Sequence, residues 1–311
     1  MYISTINHST SRGILNFMPQ ALRKYMHHIN FEEAYEIRMS IAKPLMLYYN
    51  DGTYYLSSAG FLTKSTKGAI KITRQHLDEA LELATKSSVY AKQQNISEGF
   101  ITIDGGHRIG ICGSGVIKDG TVTFIKDIST LNYRLALEVK GCASSVIDKI
   151  YNNENIKNTL IIAPPGGGKT TMLRDIVREL SNKGIRTSVV DERSEIACLY
   201  EGRTGFDLGI NTDILDGVNK QTGMMMMLRS MSPQVIATDE LGNNGDIKTI
   251  KTIINCGVKI IATIHGFNVL DIKTREDTSS LVDLFDMFIV LSRDIKTSEF
   301  KTQIIHKNEC T

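Results

Sequence analysis

A glycine-rich turn, placed between an apolar run and a helical segment, limits what this chain can fold into more than any other feature. Residues 159–162 are β-branched or apolar, and residues 163–171, Ala-Pro-Pro-Gly-Gly-Gly-Lys-Thr-Thr, follow directly. Glycines let the backbone curl so that successive N–H groups face one point, where they can bind phosphate oxygens. Ala163 stands where the first glycine of such a loop is expected, and a small residue still permits the turn. The segment predicts a binding site for a nucleoside triphosphate.

Two side chains of this loop have specific expected partners. Lys169 is placed to reach the β- and γ-phosphate oxygens, and the Thr170 hydroxyl is placed to ligate Mg²⁺. The loop therefore predicts a nucleoside triphosphate and Mg²⁺ as cofactors, and the family resemblance given below implies that the nucleotide is ATP. The residues assigned to nucleotide binding are Pro165, Gly166, Gly167, Gly168, Lys169, Thr170 and Thr171.

The segments after the loop alternate between helical and extended patterns. Apolar residues between 172 and 180 repeat at helical spacing, Gly184 ends that helix, and residues 185–190 form a β-branched run. Further β-rich runs occupy residues 234–238, 258–264 and 287–291, each separated by room for a helix. The methionine run 224–227 is expected to be helix packing within the core. This alternation predicts an α/β domain with a mostly parallel sheet.

The first 135 residues have a different pattern. Residues 36–41 and 45–49 alternate like strands, and residues 99–111 contain an Asp-Gly-Gly turn between two β-rich runs. A helical stretch at 143–151 and a polar run then precede the phosphate loop. We therefore predict a smaller α+β domain at 1–135, a joining segment at 136–158, and an α/β domain that carries the phosphate-binding loop at 159–311.

Composition restricts the class of protein further. The 311 residues are 41% hydrophobic, enough for sizeable cores, and the formal net charge of +2 creates no strong basic field, so no nucleic-acid partner is expected. The five cysteines form no Cys-x-x-Cys pair, which fits a reducing cytoplasm. No apolar run approaches the roughly 18 residues of a membrane span. We expect a cytoplasmic protein that associates with membranes only through partners.

A pair of acidic residues follows the buried run 234–238. Hydrolysis of a nucleotide requires one carboxylate near the metal and another to orient or deprotonate the attacking water. Asp239 can serve the metal and Glu240 the water, which is the Walker B arrangement. The alternative is an ordinary acidic exit from a strand. Because the pair lies downstream of a phosphate loop, the sequence favours the catalytic interpretation.

Two further candidates end neighbouring strands. Glu192 lies in the acidic segment that follows the run 185–190 and competes with Glu240 for the role of base, although it could instead cap a helix or pair with Arg193. His265 ends the strand-like run 260–264 and could bind the γ-phosphate and report its loss. The alternative for His265 is an ordinary hydrogen-bonded polar group at a strand end.

An arginine from a neighbouring subunit commonly stabilises the charge that develops during phosphoryl transfer. None of the candidates stands out in the sequence, and for each one taken singly the sequence favours a surface residue. They are Arg108, Arg134, Arg193, Arg203 and Arg229.

Several segments together resemble one family. They are residues 163–171, 190–196, 227–242 and 262–266, with 36–38, 106–113 and 128–134 in the first domain. The resemblance is to the family of stage III sporulation protein AA, which is similar to the ring-forming ATPases of type II and type IV secretion. It implies an N-terminal domain joined to a RecA-like ATPase domain, and assembly into a homo-hexameric motor.

The resemblance also implies roles for particular residues and a location. Lys169 and Thr170 match the Walker A residues, Glu240 the Walker B acid, Glu192 an acidic box and His265 a histidine box. The acidic box is short, and Asp239 replaces the usual glycine before the Walker B glutamate, which leaves open which acid contributes more. The implied partners are membrane proteins of a sporulation channel complex, at the mother-cell face of the outer forespore membrane.

Three functions compete at this stage. The first is an oligomeric ATPase that energises such a complex. The second is a nucleotide-gated scaffold that binds ATP and assembles without substantial turnover. The third, a RecA-like nucleic-acid motor, is disfavoured by the near-neutral charge.

Overall fold

The computed structural model describes residues 13–31, 33–85, 99–118, 120–293 and 300–309. These residues form two compact units. One comprises residues up to 138 together with 199–205, and the other comprises 139–198 and the residues from 206 onward. Within the described ranges, none of the helices combines the length and the apolar character needed to cross a bilayer.

The first unit is built on an antiparallel sheet. Its strands lie in the order β4-β3-β2-β1-β7-β6-β5. They are β1 (Ala34–Ser40), β2 (Met46–Tyr49), β3 (Gly52–Leu56), β4 (Leu62–Thr63), β5 (Phe100–Thr102), β6 (Arg108–Lys118) and β7 (Thr121–Arg134). The helices α1 (Gln20–Met26) and α2 (Arg74–Thr85) contribute Leu22 and Leu77 to its core. The Asp-Gly-Gly turn predicted between residues 99 and 111 joins β5 to β6 as a short 3₁₀ helix, Asp104–Gly106.

The second unit is an α/β layer structure. Its strands lie in the order β10-β9-β11-β12-β8-β13-β14, and every neighbouring pair is parallel except β13 with β14. The strands are β8 (Thr159–Ala163), β9 (Thr187–Asp191), β10 (Thr212–Asp216), β11 (Val235–Thr238), β12 (Lys259–His265), β13 (Met287–Arg293) and β14 (Phe300–His306). The helices are α3 (Ile147–Ile150), α4 (Lys169–Asn182), α5 (Lys220–Ser230), α6 (Asn244–Asn255) and α7 (Val269–Thr274).

Apolar residues cover both faces of this parallel sheet. Ile161 of β8 packs with Leu173 of α4 on one face, whereas Ile162 packs in the cluster that contains Met224 of α5 and Ile250 of α6. Strands that are buried on both faces read as continuous apolar runs, because successive side chains point to opposite sides. This explains why β8, β11 and β12 were visible in the sequence.

The predicted α/β class with a mostly parallel sheet is confirmed, and three details differ from expectation. The strands β10 and β14 lie at the two edges of the sheet and were not predicted. The methionine run lies in α5 as expected, with Met224 and Met227 buried, but Met226 is 49% exposed on the opposite face of the helix. The prediction that the methionine run packs in the core is therefore correct for Met224 and Met227 and wrong for Met226.

Candidate functional site

The glycine loop connects the carboxyl end of β8 to the first residue of α4. Gly166 and Gly168 have φ angles of 71° and 85°, which glycine adopts without the steric cost that a side chain would bring. Gly167 has a different constraint, because a Cβ there would lie 2.8 Å from the Cβ of Ala163 and 2.9 Å from the Pro164 carbonyl oxygen. The loop therefore delivers its backbone to the N-terminus of a long helix, where anions are favoured.

Lys169 lies buried at the start of α4, with 6% of its surface exposed. Its Nζ is 3.3 Å from the Pro164 carbonyl oxygen and 2.9 Å from Nδ1 of His265. Burial lowers the pKa of Lys169, and the nearby charges of Glu240 and Asp239 oppose that shift. Because a protonated ammonium only donates, Nδ1 of His265 accepts, and Nε2 of the neutral ring carries the proton.

Glu240 continues this chain of contacts. Its Oε1 lies 3.0 Å from Nε2 of His265, and its Oε2 is bound by the guanidinium of Arg193. The Glu240 amide donates to Oγ1 of Thr263 at 2.9 Å, while its φ of 46° turns the backbone sharply after β11. Glu240 follows β11 and His265 ends β12. Since these two strands are adjacent and parallel, the side chains of Glu240 and His265 emerge at the same edge of the sheet. The structure thus links Lys169, His265, Glu240 and Arg193 in one continuous series.

Asp239 is 1% exposed, and the charges that act on its carboxyl include those of Asp191 and Glu240. Burial, followed by the charge of Asp191, raises the pKa of Asp239 to about 7, while Lys220 acts in the opposite direction. Its Oδ2 is buried and has no hydrogen-bond partner among the described residues. A buried carboxylate oxygen without a partner fits a hard, oxygen-binding cation such as Mg²⁺. Thr170, the other predicted ligand, is half-buried at the start of α4.

Glu192 contacts the backbone of Asp239 and Glu240 indirectly, through Lys220. Its Oε2 is 3.6 Å from Nζ of Lys220, and its Oε1 accepts from the side-chain amide of Asn219 at 3.2 Å. Lys220 in turn donates to the carbonyl oxygens of Asp239, at 3.0 Å, and of Glu240. Lys220 was not among the site residues predicted from the sequence. The available signal was a lysine directly after the helix-capping Asn219, where a cation opposes the helix dipole.

The rest of the acidic segment after β9 shapes the loop itself. Asp191 is fully buried and accepts from the amides of Glu195, Ile196 and Ala197, each at 2.8 Å. Arg174 of α4 donates to the carbonyl oxygens of Glu195 and Ile196, both at 2.9 Å. These bonds hold the loop that carries Glu192 and Arg193.

The five candidate arginines lie in different places. Arg193 binds Glu240 within the same chain. Arg203 lies 3.8 Å from Asp104 in the first unit, and Arg108 lies over the Phe100 ring at 5.2 Å. Arg134 and Arg229 are exposed. Arg193 is therefore the candidate that the structure shows in contact with a predicted catalytic residue.

The mostly parallel sheet, with a glycine loop after β8, an acidic pair after β11 and a histidine after β12, defines a protein of the RecA-like α/β fold. Solved structures share this fold. The Legionella pneumophila ATPase DotB has a TM-score of 0.55 and 13% identity, covering 92% of this chain and 80% of that one. The pilus retraction motor PilT, solved with bound ADP, has a TM-score of 0.57 and 13% identity, covering 90% and 82%. At such identities the likeness establishes the fold.

Sequence comparison identifies the family. The chain belongs to the family described as sporulation stage III, protein AA, whose model matches residues 8–309. Stage III sporulation protein AA from Bacillus subtilis (strain 168) is 34% identical over 291 residues, 90% of each chain. A more distant similarity, 29% over 157 residues, extends to SEEDLING PLASTID DEVELOPMENT 1 from Arabidopsis thaliana, and covers 49% of this chain and 22% of that one. The family resemblance inferred from the sequence motifs is therefore confirmed.

Proposed function

We propose that this sporulation-family protein is a Mg²⁺-dependent ATPase that works as a homo-oligomeric motor. The observation that carries the proposal is the series of contacts from Lys169 through His265 to Glu240 at the carboxyl edge of the sheet. It joins a phosphate-loop lysine to an acid that can act on water. Each of these groups comes from a different segment of the chain, so their convergence is a property of the folded site.

The proposed roles follow from the contacts. Lys169 binds the β- and γ-phosphate oxygens once it leaves His265, and the loop amides bind the remaining oxygens. Thr170 and Asp239 would hold Mg²⁺, which when bound neutralises charge on the phosphates. Glu240 orients the attacking water and accepts its proton, for which its Oε2 must be released by Arg193.

His265 is proposed as the sensor of the γ-phosphate. In the observed arrangement its Nδ1 accepts from Lys169 and its Nε2 donates to Glu240. When Lys169 turns toward phosphate, Nδ1 loses its donor, and the ring becomes available to a new partner. Binding at the phosphate loop would thereby change the hydrogen bonding of Glu240 through a single side chain.

The assembly and location are also proposals. Family membership and the fold shared with DotB and PilT support a ring of identical subunits, which we infer to be a hexamer. Its partners would be membrane proteins of a sporulation channel complex, and it would act in the cytoplasm at the mother-cell face of the outer forespore membrane. We infer no nucleic-acid partner. An arginine contributed in trans would complete the site.

Phosphate release from ATP and Mg²⁺, measured over a wide range of protein concentrations, tests this function. A rate per subunit that rises with concentration, and that is lost in both Lys169→Ala and Glu240→Gln, is expected of an assembled motor. Glu192→Gln distinguishes the two candidate bases. If Glu240→Gln stays active and Glu192→Gln does not, the base is Glu192. An active Lys169→Ala protein would contradict the proposed site altogether.

A nucleotide-gated scaffold is the second candidate. The observation that favours it is that both carboxylate oxygens of Glu240, and the ammonium of Lys169, are already engaged by protein groups. A site held in this way could bind ATP and assemble while turning over too slowly to drive work. Tight ATP binding and assembly, with no phosphate release in wild type, would support the scaffold.

A further inference from the structure

Lys220 occupies an unusual position for a lysine. It is the first residue of α5, where the helix dipole disfavours a cation, and only 7% of its surface is exposed. The amide groups that need capping at this end are served by Asn219, which accepts from the amides of Gln221 and Thr222. Lys220 is therefore not needed to cap the helix, and its charge is unfavourable at this end of the helix.

The contacts of the Lys220 ammonium all lie at the nucleotide site. It donates to two successive carbonyl oxygens, those of Asp239 and Glu240, and its charge is balanced by Glu192 at 3.6 Å. A buried ammonium is tolerated only with such compensation, because removing it from water is costly. The ion pair with Glu192 thus holds the ammonium against the backbone that carries both acids of the site.

These contacts set the direction of Glu240. The chain leaves β11 at Thr238 and turns at Glu240 with a φ of 46°, a conformation that residues with side chains seldom adopt. Lys220 binds the carbonyl side of this turn, and Oγ1 of Thr263 binds the Glu240 amide. The strained turn is therefore held from two sides, with its carboxylate facing His265.

We propose that Lys220 is a positioning residue for Glu240, and that Glu192 acts by holding the Lys220 ammonium in place. This inference rests on the proposed hydrolysis, since it assigns Glu240 an orientation that matters for water attack. It also makes a structural claim that is independent of turnover, namely that Lys220 maintains the turn at residues 239–242.

The test compares Lys220→Ala with Lys248→Ala, a lysine-to-alanine change at an exposed position of the neighbouring helix α6. For Lys220→Ala we expect kcat to fall about 10²-fold, as for other small misplacements of a reacting group. The KM for ATP should change much less, because the phosphate loop is untouched. Propylammonium ions, which have the same heavy atoms as the part of the side chain that the substitution removes, should restore part of kcat in Lys220→Ala and none in Glu240→Gln.

Amide hydrogen exchange supplies the readout that needs no turnover. Lys220→Ala should speed exchange at residues 239–242 and leave residues 164–168 unchanged, whereas Lys248→Ala should alter neither. Faster exchange without any wild-type turnover would uphold the positioning of the turn and reject the proposed hydrolysis. Unchanged exchange at residues 239–242, or a kcat in Lys220→Ala equal to that of Lys248→Ala, would overturn the proposal. Loss of exchange protection throughout the unit would also overturn it, because the role of Lys220 would then be general stability.

Discussion

Replacing Asp239 by asparagine should stabilise the nucleotide-free protein at neutral pH. The buried carboxyl of Asp239 has a pKa raised from 3.8 to about 7, so the folded protein favours its protonated form. Since each pKa unit corresponds to roughly 1.4 kcal/mol, the ionised group lowers the free energy of unfolding by at most about 4 kcal/mol. Asparagine has nearly the same shape and carries no charge, and it therefore removes this penalty.

The sign of the effect determines its pH dependence. An acid whose pKa is raised on folding makes the protein less stable as pH rises, between the pKa of the unfolded chain and that of the folded one. The advantage of Asp239→Asn over wild type should thus be small near pH 4, grow up to about pH 7 and then level off. The physical cause is burial together with the charge of Asp191, both of which disfavour a second negative charge.

Urea unfolding followed by far-ultraviolet circular dichroism, in EDTA and without nucleotide at several pH values, measures this difference. Asp213→Asn is the matched control, because Asp213 is exposed on the edge strand β10 and should show little pH-dependent gain. A wild type that is more stable than Asp239→Asn at pH 8, or a difference that does not vary with pH, would refute the reasoning. Either result would mean that Asp239 is well compensated without a cation.

Three other changes have outcomes that the structure specifies. Gly167→Ala should abolish binding of a fluorescent ATP analogue, because its methyl group has no room in the loop; retained affinity would contradict this. Gly209→Ala should lower the free energy of unfolding by about 1–3 kcal/mol, because the new Cβ would lie 2.6 Å from the Cβ of Ser181 and because Gly209 has a φ of +83°. An unchanged midpoint of urea unfolding would contradict this prediction. At pH 8, iodoacetamide should label the exposed Cys256 well before Cys142, because burial raises the pKa of the Cys142 thiol to about 12. Equal rates of labelling at the two cysteines, followed by mass spectrometry, would argue against this burial.

Much of the second unit could be predicted because its signals are local. A strand buried on both faces is apolar or β-branched along most of its length, and β8, β11 and β12 show that pattern. The edge strands are only partly buried and lack it. β10 reads Thr-Asp-Ile-Leu-Asp, and becomes a strand through its parallel pairing with β9. Edge strands are therefore the elements that sequence patterns identify least well.

For the candidate site, the sequence predicted which residues lie at the edge of the sheet but not which side chains they contact. The glycine loop, the acidic pair and His265 were identifiable because parallel strands deliver their carboxyl ends to one edge of a sheet, so position along the chain implies position in space. The partner of each side chain was not identifiable from the same pattern. Whether Glu192 faces the nucleotide or Lys220, and whether Arg193 binds Glu240, depends on side chains that lie far apart in sequence.

The sequence alone thus determined the fold class of the protein, its family and the edge of the sheet at which Lys169, Glu240 and His265 lie, because a glycine-rich loop and buried strands are recognisable from neighbouring residues. The tertiary structure alone decided the contacts made there. Lys169 meets His265 across 96 positions of sequence, and Lys220 reaches the carbonyl oxygens that follow β11. Such pairings arise from strand order and helix packing, which bring together residues that no local pattern connects.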